Sequence, residues 1–468
     1  MQAWIEAETK GADFGDERLN RRYQVLLDCL SDKPTLSIPA ACRGEAETAA
    51  AYRFFANDKT DACKVLKPHI EATAARMREH KVVIVAQDTT ELELIRKQEK
   101  VGGPLNDESR WGLYAHPLLA MTTQRVPLGL VGATLWSRDP QAFAKSQPEK
   151  RRERKAKSLE DKESHRWLAG YHAIGAVAAQ IPATTVIAVS DSEGDIYECL
   201  QAGMEGPAEY IVRSCQDRAV LEAAQPLLWQ TLACQGKLGT VKINVSKRAA
   251  SSGGERKRKQ AHAARKTRVT VRTAAVLLRG PSRPGMTLPD ITVHAVLACE
   301  EHPPAGEEPI EWVLLTSLPI ATFADAKRVL DYYCCRWEIE IYFRVLKGGC
   351  KIQELQLERQ DRLEVCLALY MIVAWRVLYL LMMGRQCPDL PCDAVLTEAE
   401  WKSVYIIAND DDAPEQPPTL VKMVQMIAEL GGYIIRKGNG PPGPQTMWIG
   451  LQRMRDFATA WIAFARRK

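Results

Sequence analysis

Apolar residues recur at helical spacing through the first 65 residues, where "GDERLNRRYQVLLDCL" and "GEAETAAAYRFFAND" each place polar residues ahead of an amphipathic run. From residue 81 the pattern changes to short β-branched runs. "KVVIVAQDTTELEL" predicts a strand ending at Asp88, and "LYAHPLLAMTT" and "VPLGLVGATLWSR" predict two more. A charged stretch leads into a helix expected over 158–180. "TTVIAVSDSEGDIYECL" then predicts a buried strand ending at Asp191, followed by another helix.

Three strands, a helix, a strand and a helix in that order are what a ribonuclease-H-like α/β core would show, a mixed sheet with helices on its faces. Residues 208–318 interrupt that core with β-rich sequence: "AEYIVRSC", "GTVKINV", "TRVTVRTAAVLL", "ITVHAVLAC" and "EWVLLTSL". From residue 323 the chain turns helical, with "NDDDAPEQPP" (409–418) as a loop. The expected organisation is an N-terminal helical domain over 1–65, an α/β core over 66–395 holding the β-rich insertion, and a C-terminal helical domain over 396–468.

The 468 residues are 46% hydrophobic and 26% charged, enough apolar sequence for real cores. A net charge of +5 permits a nucleic-acid partner without indicating one, so the clustering of bases matters more. Arg18, Arg21 and Arg22 gather at one helix start and Arg53 sits on the next helix, a candidate DNA-reading surface. Residues 247–272 hold ten Lys/Arg against one acid and predict a basic loop between strands, suited to phosphate contacts. The thirteen cysteines are scattered with no CxxC pair, which predicts reduced thiols in a cytoplasmic protein. The most membrane-like segment, 363–383, has a longest uncharged run of 11 residues, too short to span a bilayer, and predicts a core helix with no membrane partner.

"YCCRWEIEIYFRVLK" (333–347) reads as one helix. At about 100° per residue, Tyr333, Arg336, Glu340 and Lys347 fall within roughly 60° of arc, amid apolar positions that include Trp337 and Ile339. Glu338 lies about 140° from Tyr333 and leaves that stripe. Asp88 and Asp191 each follow an apolar run, so two strand-end acids and a helical Glu form a candidate set. Three carboxylates suit a pair of Mg²⁺ ions roughly 3.5–4 Å apart, one activating an attacking oxygen and one stabilising a leaving oxygen at phosphorus. Arg336 and Lys347 would hold phosphates and the Tyr333 hydroxyl would hydrogen-bond one. Asp195, with Glu198 three residues on, reads as a helix N-cap, and Glu193 has no assigned role.

These residues carry a resemblance. The Y-(2)-R-(3)-E-(6)-K spacing of 333–347 is similar to the signature of cut-and-paste DDE transposases of the IS-four family, most closely the Tn-five type. The likeness runs nearly end to end through "GDERLNRR", "AYRF", "AQDTT", "DKESHRW", "VIAVSDSEGDI", "YIVRS", "EWVLLTSLP" and "LGGYI". It implies a ribonuclease-H-like core with a β insertion between the second Asp and the Glu, an N-terminal DNA-end reader and a C-terminal helical domain that pairs two protomers. It assigns metal binding to Asp88, Asp191 and Glu340, with Mg²⁺ (or Mn²⁺ in its place) as two ions per site, and phosphate contacts to Tyr333, Arg336 and Lys347. Trp312 matches a tryptophan that stacks on a flipped base, and Arg213 and Arg344 match further DNA contacts. Ser192 departs from the Tn-five type, which has arginine there.

The resemblance implies a transposase that binds terminal inverted repeats, cuts both strands through a hairpin and joins the 3′ ends to target DNA. It acts as a homodimer on paired ends, in a bacterial cytoplasm and at the nucleoid when DNA-bound. A structure-specific nuclease on the same fold, or a non-catalytic DNA-binding regulator, are the alternatives.

Overall fold

Fifteen α-helices and fourteen strands are defined among the described residues. The helices are α1 (Ala3–Thr9), α2 (Glu17–Asp32), α3 (Ile38–Cys42), α4 (Glu45–Phe55), α5 (Ala62–Met77), α6 (Pro140–Phe143), α7 (His165–Gln180), α8 (Tyr197–Glu205), α9 (Leu228–Ala233), α10 (Phe323–Cys335), α11 (Trp337–Arg344), α12 (Gln360–Gln386), α13 (Glu398–Asn409), α14 (Leu420–Leu430) and α15 (Pro444–Ala465). The strands are β1 (Val82–Gln87), β2 (Thr90–Glu93), β3 (Gly103–Pro104), β4 (Trp111–Thr122), β5 (Pro127–Trp136), β6 (Thr185–Ser190), β7 (Glu209–Arg213), β8 (Val220–Leu221), β9 (Gly239–Val245), β10 (Arg265–Leu278), β11 (Ser282–Arg283), β12 (Met286–Thr287), β13 (Ile291–Cys299) and β14 (Glu311–Thr316). This computed structural model describes residues 2–42, 44–95, 101–107, 109–143, 149, 152, 162–245, 265–283, 286–436 and 440–465. The expected helix start at 158–161 and most of the basic stretch 247–272 lie outside the described residues.

The chain divides into two compact units, one of Met1–Arg166 with Trp337–Lys468 and one of Trp167–Arg336. In the first unit β4 is the central strand, flanked by β1 and β2 and by β3 and β5, all antiparallel. β1 and β2 share one register on β4: Gln87 faces Leu118 and Thr90 faces Ala115, with equal numbers of residues between. The strand predicted to end at Asp88 therefore continues beyond it. Carried across the gap, that register sets Asp88 opposite Pro117 and Thr89 opposite His116. Proline has no N–H to give, so the exchange of two backbone bonds cannot be completed at that position.

α12 runs through the first unit, and of its most apolar 18-residue window 89% is buried in protein. It is the one helix among the described residues long and apolar enough to cross a membrane, and it is a core helix as its interrupted hydropathy predicts. Its Trp375 donates Nε1–H to the Pro127 carbonyl at 3.0 Å and packs edge-on against His69. The buried His69 accepts the Leu130 N–H on Nε2 at 3.0 Å, which places its single ring proton on Nδ1, facing Glu8 at 2.5 Å. Arg76 also meets Glu8, at 2.5 Å, and lies over the Trp375 ring. One buried carboxylate thus ties α1 to α5 and to the sheet.

The second unit pairs β6 with β7 in parallel, then runs antiparallel through β14, β13 and β10, with β8 and β9 on β10. The five longer strands of the predicted insertion all form. Arg265, at the start of β10, is held by Glu300 and by Glu307 at 2.7 Å, and Arg272 gives Nε–H to the Gln235 carbonyl at 3.1 Å. These two bases of the predicted DNA-contacting stretch are therefore engaged within the fold. The thirteen cysteines are all free thiols, as predicted.

Burial pushes the Glu8 carboxyl up, but His69 and Arg76 pull it below its ordinary value by more, and burial holds the His69 imidazole below 6.5. In both cases the unfolded chain binds more protons, so stability rises with pH across each window. Unfolding free energy should fall as pH drops below about 6.5, and again below about 4.5, as read by urea titration. Glu8→Gln should cost about 2–4 kcal/mol at pH 7 and flatten the lower limb.

Candidate active site

Asp88 occupies the lapse in the β1–β2 ladder, and its Oδ1 accepts the Thr89 N–H at 2.7 Å. On Thr89 the side chain is engaged twice. Arg166 can only donate, so its Nε–H goes to Thr89 Oγ1 at 2.8 Å, and the same hydroxyl lies 2.9 Å from His116 Nδ1. His116 Nε2 faces the Gln87 Oε1 acceptor at 3.3 Å, which puts the neutral ring's one proton there and leaves Nδ1 to accept the Thr89 hydroxyl proton. Burial, and then Arg166, push the His116 imidazole down to about 3, so it is neutral. The sequence reading assigned no role to His116 or Arg166. The available signal was a lone polar residue within the apolar run "LYAHPLLAM".

Asp191 follows β6 in the second unit and caps a 3-10 turn over Ser192–Gly194, its Oδ1 accepting the Glu193 N–H at 2.8 Å. The turn packs tightly: a Cβ on Gly194 would lie 2.5 Å from Ser190 Oγ and 3.1 Å from Trp167, so only glycine fits. Asp195 is not the N-cap its spacing predicts. It is buried, pairs with Arg218 at 2.5 Å and accepts the Cys215 and Gln216 N–H groups at 2.8 and 3.1 Å. Ile196 takes the cap position of α8 without a side-chain bond, and Glu198 pairs with Arg283 at 2.8 Å. Charge burial outweighs capping here, because an unpaired interior guanidinium would cost far more than an uncapped helix end.

The segment 333–347 is not one α-helix. α10 ends at Cys335, α11 begins at Trp337, and Val345–Gly349 forms a π-helical turn. The Arg336 N–H bonds the Tyr333 carbonyl at 3.1 Å, a tightened turn, whereas the Cys350 N–H reaches back to Val345 at 3.2 Å, a widened one. A widened turn sweeps less angle per residue, so Lys347 leaves the position that uniform helical spacing gives it. The π turn is held against Trp448: a Cβ on Gly349 would come within 2.9 Å of that indole. Trp337, expected among the apolar positions, is 40% exposed. Glu338 is buried and faces Arg125 at 3.6 Å; burial raises its carboxyl above the ordinary range despite Arg125. Glu340 and Arg344 are exposed.

Within the second unit, Tyr333 is buried edge-on against the half-buried Trp312, with ring centroids 5.6 Å apart. Burial lifts the Tyr333 phenol above its ordinary value, Arg336 and Arg213 oppose that lift, and Asp191 adds to it. Those interactions gather Trp312, Arg213, Asp191 and Arg336 around one tyrosine. In the first unit burial lowers Lys347 below its ordinary value, against the opposing pull of Glu91. Among the N-terminal arginines, Arg21 and Arg53 are exposed, Arg18 pairs with Asp16 at 2.8 Å, and Arg22 pairs with Glu47.

Among the described residues, no group of three or more His, Cys, Asp or Glu side chains stands ready as a metal cage. Taken singly, Asp88, Asp191 and Glu340 each offer carboxylate oxygens, the donor type a hard divalent cation takes, and one oxygen each of Asp88 and Asp191 is oriented by a backbone N–H.

Acids that follow strands, a base-lined tyrosine and a helical N-terminus bearing arginines define a DNA-processing phosphoryl-transfer enzyme once set beside known families. Residues 1–60 match the transposase DNA-binding family, residues 132–376 the transposase DDE domain, and residues 372–467 the transposase Tn5 dimerisation domain. The DDE match alone spans more than half of the chain, which belongs to the Tn5-type DDE transposases. It is therefore a DNA-binding transposase that dimerises, of a class that generally uses divalent metals. Asp191, Trp312 and the 333–347 signature lie inside the DDE match, and Asp88 precedes it. Among solved structures, the cryo-EM structure of piggyBac transposase synaptic complex with hairpin DNA aligns with 82% of this chain and 72% of that chain, at a TM-score of 0.34 and 8% identity, too slight a likeness to bear on the site.

Asp195, unlike Asp191, should prove structural. Asp195→Ala should lower stability by about 3–5 kcal/mol in chemical denaturation, since it strands Arg218 and two amides. Asp191→Asn should leave stability nearly unchanged in the same experiment.

Proposed function

We propose that this transposase binds the terminal inverted repeats of a mobile element, nicks one strand at each end, releases the element through a DNA hairpin and joins its 3′ ends to target DNA. The DDE-domain match, which contains the Tyr333–Arg336–Glu340–Lys347 signature, is the observation that carries this reading. We assign metal binding to Asp88, Asp191 and Glu340; bound there, Mg²⁺ would supply Lewis-acid activation of the attacking oxygen and charge stabilisation at the leaving oxygen. Tyr333, Arg336 and Lys347 would position the phosphates beside the scissile bond. Arg213 and Arg344 would contact DNA further along, and Arg18, Arg21, Arg22 and Arg53 would read the repeat. Residues 1–65 act as the end reader, 66–395 as the catalytic core and 396–468 as the part that pairs protomers, on double-stranded DNA in a bacterial cytoplasm.

Trp312 would hold a base flipped from the stack as the hairpin turns, because a tight hairpin is relieved by removing one base, at roughly 1–3 kcal/mol of stacking. Its partial exposure beside Tyr333 supports that role.

Glu340→Gln should abolish nicking of an end-labelled terminal-repeat duplex in Mg²⁺ while DNA binding stays within about twofold. Wild-type cleavage by that variant would refute the metal assignment. Glu338→Gln should still cleave, at some cost in melting temperature, because its partner is Arg125.

In the same time course Trp312→Ala should keep first-strand nicking within about tenfold yet lose most hairpin formation and release. Trp312→Phe should recover part of it. Equal loss at every step, with a lowered melting temperature, would assign Trp312 to packing alone.

A further inference from the structure

Asp88 lies between two named strands, β1 ending at Gln87 and β2 beginning at Thr90. Pairing with β4 is in register through Gln87 and again from Thr90, and that register sets Asp88 opposite Pro117, which has no N–H to donate. Catalytic carboxylates nonetheless need placement to within about 0.5 Å. Side chains two apart on a strand share a face, so Gln87 and Thr89 point to one side of the sheet and Asp88 to the other. On the first face stands the buried His116, 2.9 Å from Thr89 Oγ1 and 3.3 Å from Gln87 Oε1. Arg166 closes the chain of donors onto Thr89 at 2.8 Å, and the Thr89 N–H in turn orients Asp88 Oδ1 at 2.7 Å.

We propose that His116 is a positioning residue for Asp88: its imidazole clamps Gln87 and Thr89, the residues on either side of the carboxylate. The inference rests on the reading of Asp88 as a metal ligand. His116 itself touches neither metal nor DNA. It acts through Thr89, and its effect is to keep one oxygen donor where a divalent cation needs it.

The experiment uses the full chain, with Mn²⁺ as the probe and free Mn²⁺ read by electron paramagnetic resonance, alongside nicking of the terminal-repeat duplex and thermal melting. His116→Ala should weaken Mn²⁺ binding and slow nicking by about 10–100-fold each, as losses of groups that orient metal ligands do, with DNA affinity within about twofold. His116→Asn keeps an acceptor for Thr89 and a donor for Gln87, and should recover to within about fivefold. Thr89→Val should reproduce the alanine effect and Thr89→Ser should not, a pair that keeps the test open if His116→Ala fails to fold. Wild-type Mn²⁺ affinity in both His116→Ala and Thr89→Val would overturn the proposal. So would an asparagine variant no better than alanine with both melting temperatures lowered, which marks plain packing. Asp88→Asn separates the two layers: wild-type Mn²⁺ binding and nicking there sinks the reading of Asp88 and the inference with it. An inactive Asp88→Asn beside a wild-type-like His116→Ala sinks the inference alone.

Discussion

A missing hydrogen-bond donor marks the part of the first unit's sheet where Asp88 lies. Pro117 sits in the interior of β4, a strand paired on both sides, where proline is ordinarily excluded. β5 continues along β4 past that point, so the sheet stays intact while the opposite ladder lapses for two residues. The lapse falls on Asp88 and Thr89. Equal residue counts on the two strands mean that no bulge reorients the chain, so side chains keep their alternation and Asp88 faces away from His116. Beside Asp88, whose Oδ1 accepts the Thr89 N–H, the Thr89 side chain is held by His116 and Arg166, residues brought from elsewhere in the chain.

Buried charge follows a consistent division of labour. Glu8 and Asp195 are interior carboxylates, each compensated by an arginine and by further N–H donors. Such groups hold elements together and contribute little if both partners are replaced, but removing one leaves the other stranded. Glu340 is exposed and Asp88 and Asp191 are half-buried, which leaves their carboxylates within reach of ligands. Exposure separates these three candidate metal ligands from the structural acids. Glu338 shows the same rule two residues from Glu340: buried, facing Arg125, and committed to packing.

The π-helical turn at Val345–Gly349 ties a base to the C-terminal helices. Gly348 and Gly349 admit the Trp448 indole where any side chain would collide or press, and the widened turn carries Lys347 with it. Within the first unit, then, the position of one phosphate-binding candidate depends on how α15 packs, a residue of the Tn5 dimerisation match acting on the catalytic signature.

Much of this protein was legible in the sequence because periodicity is local. The alternation and runs of "LYAHPLLAMTT", "VPLGLVGATLWSR" and "TRVTVRTAAVLL" report strands, and 363–383 reports a core helix, since burial on a given face needs only the neighbours' spacing. The residue spacing of 333–347, through its resemblance to a known signature, was enough to point to the family. Tertiary structure decided what depends on residues far apart in the chain. It set Pro117 opposite Asp88 and brought Arg166 to Thr89, and no window of sequence contains both members of either pair. It turned Asp195 from an expected cap into a buried anchor, because Arg218 lies 23 residues on and interior charges must pair. It widened the helix around Lys347, where Trp448, about a hundred residues later, packs in the space beside the glycines. Local spacing sets which face a residue takes, and only the completed packing sets what it meets there.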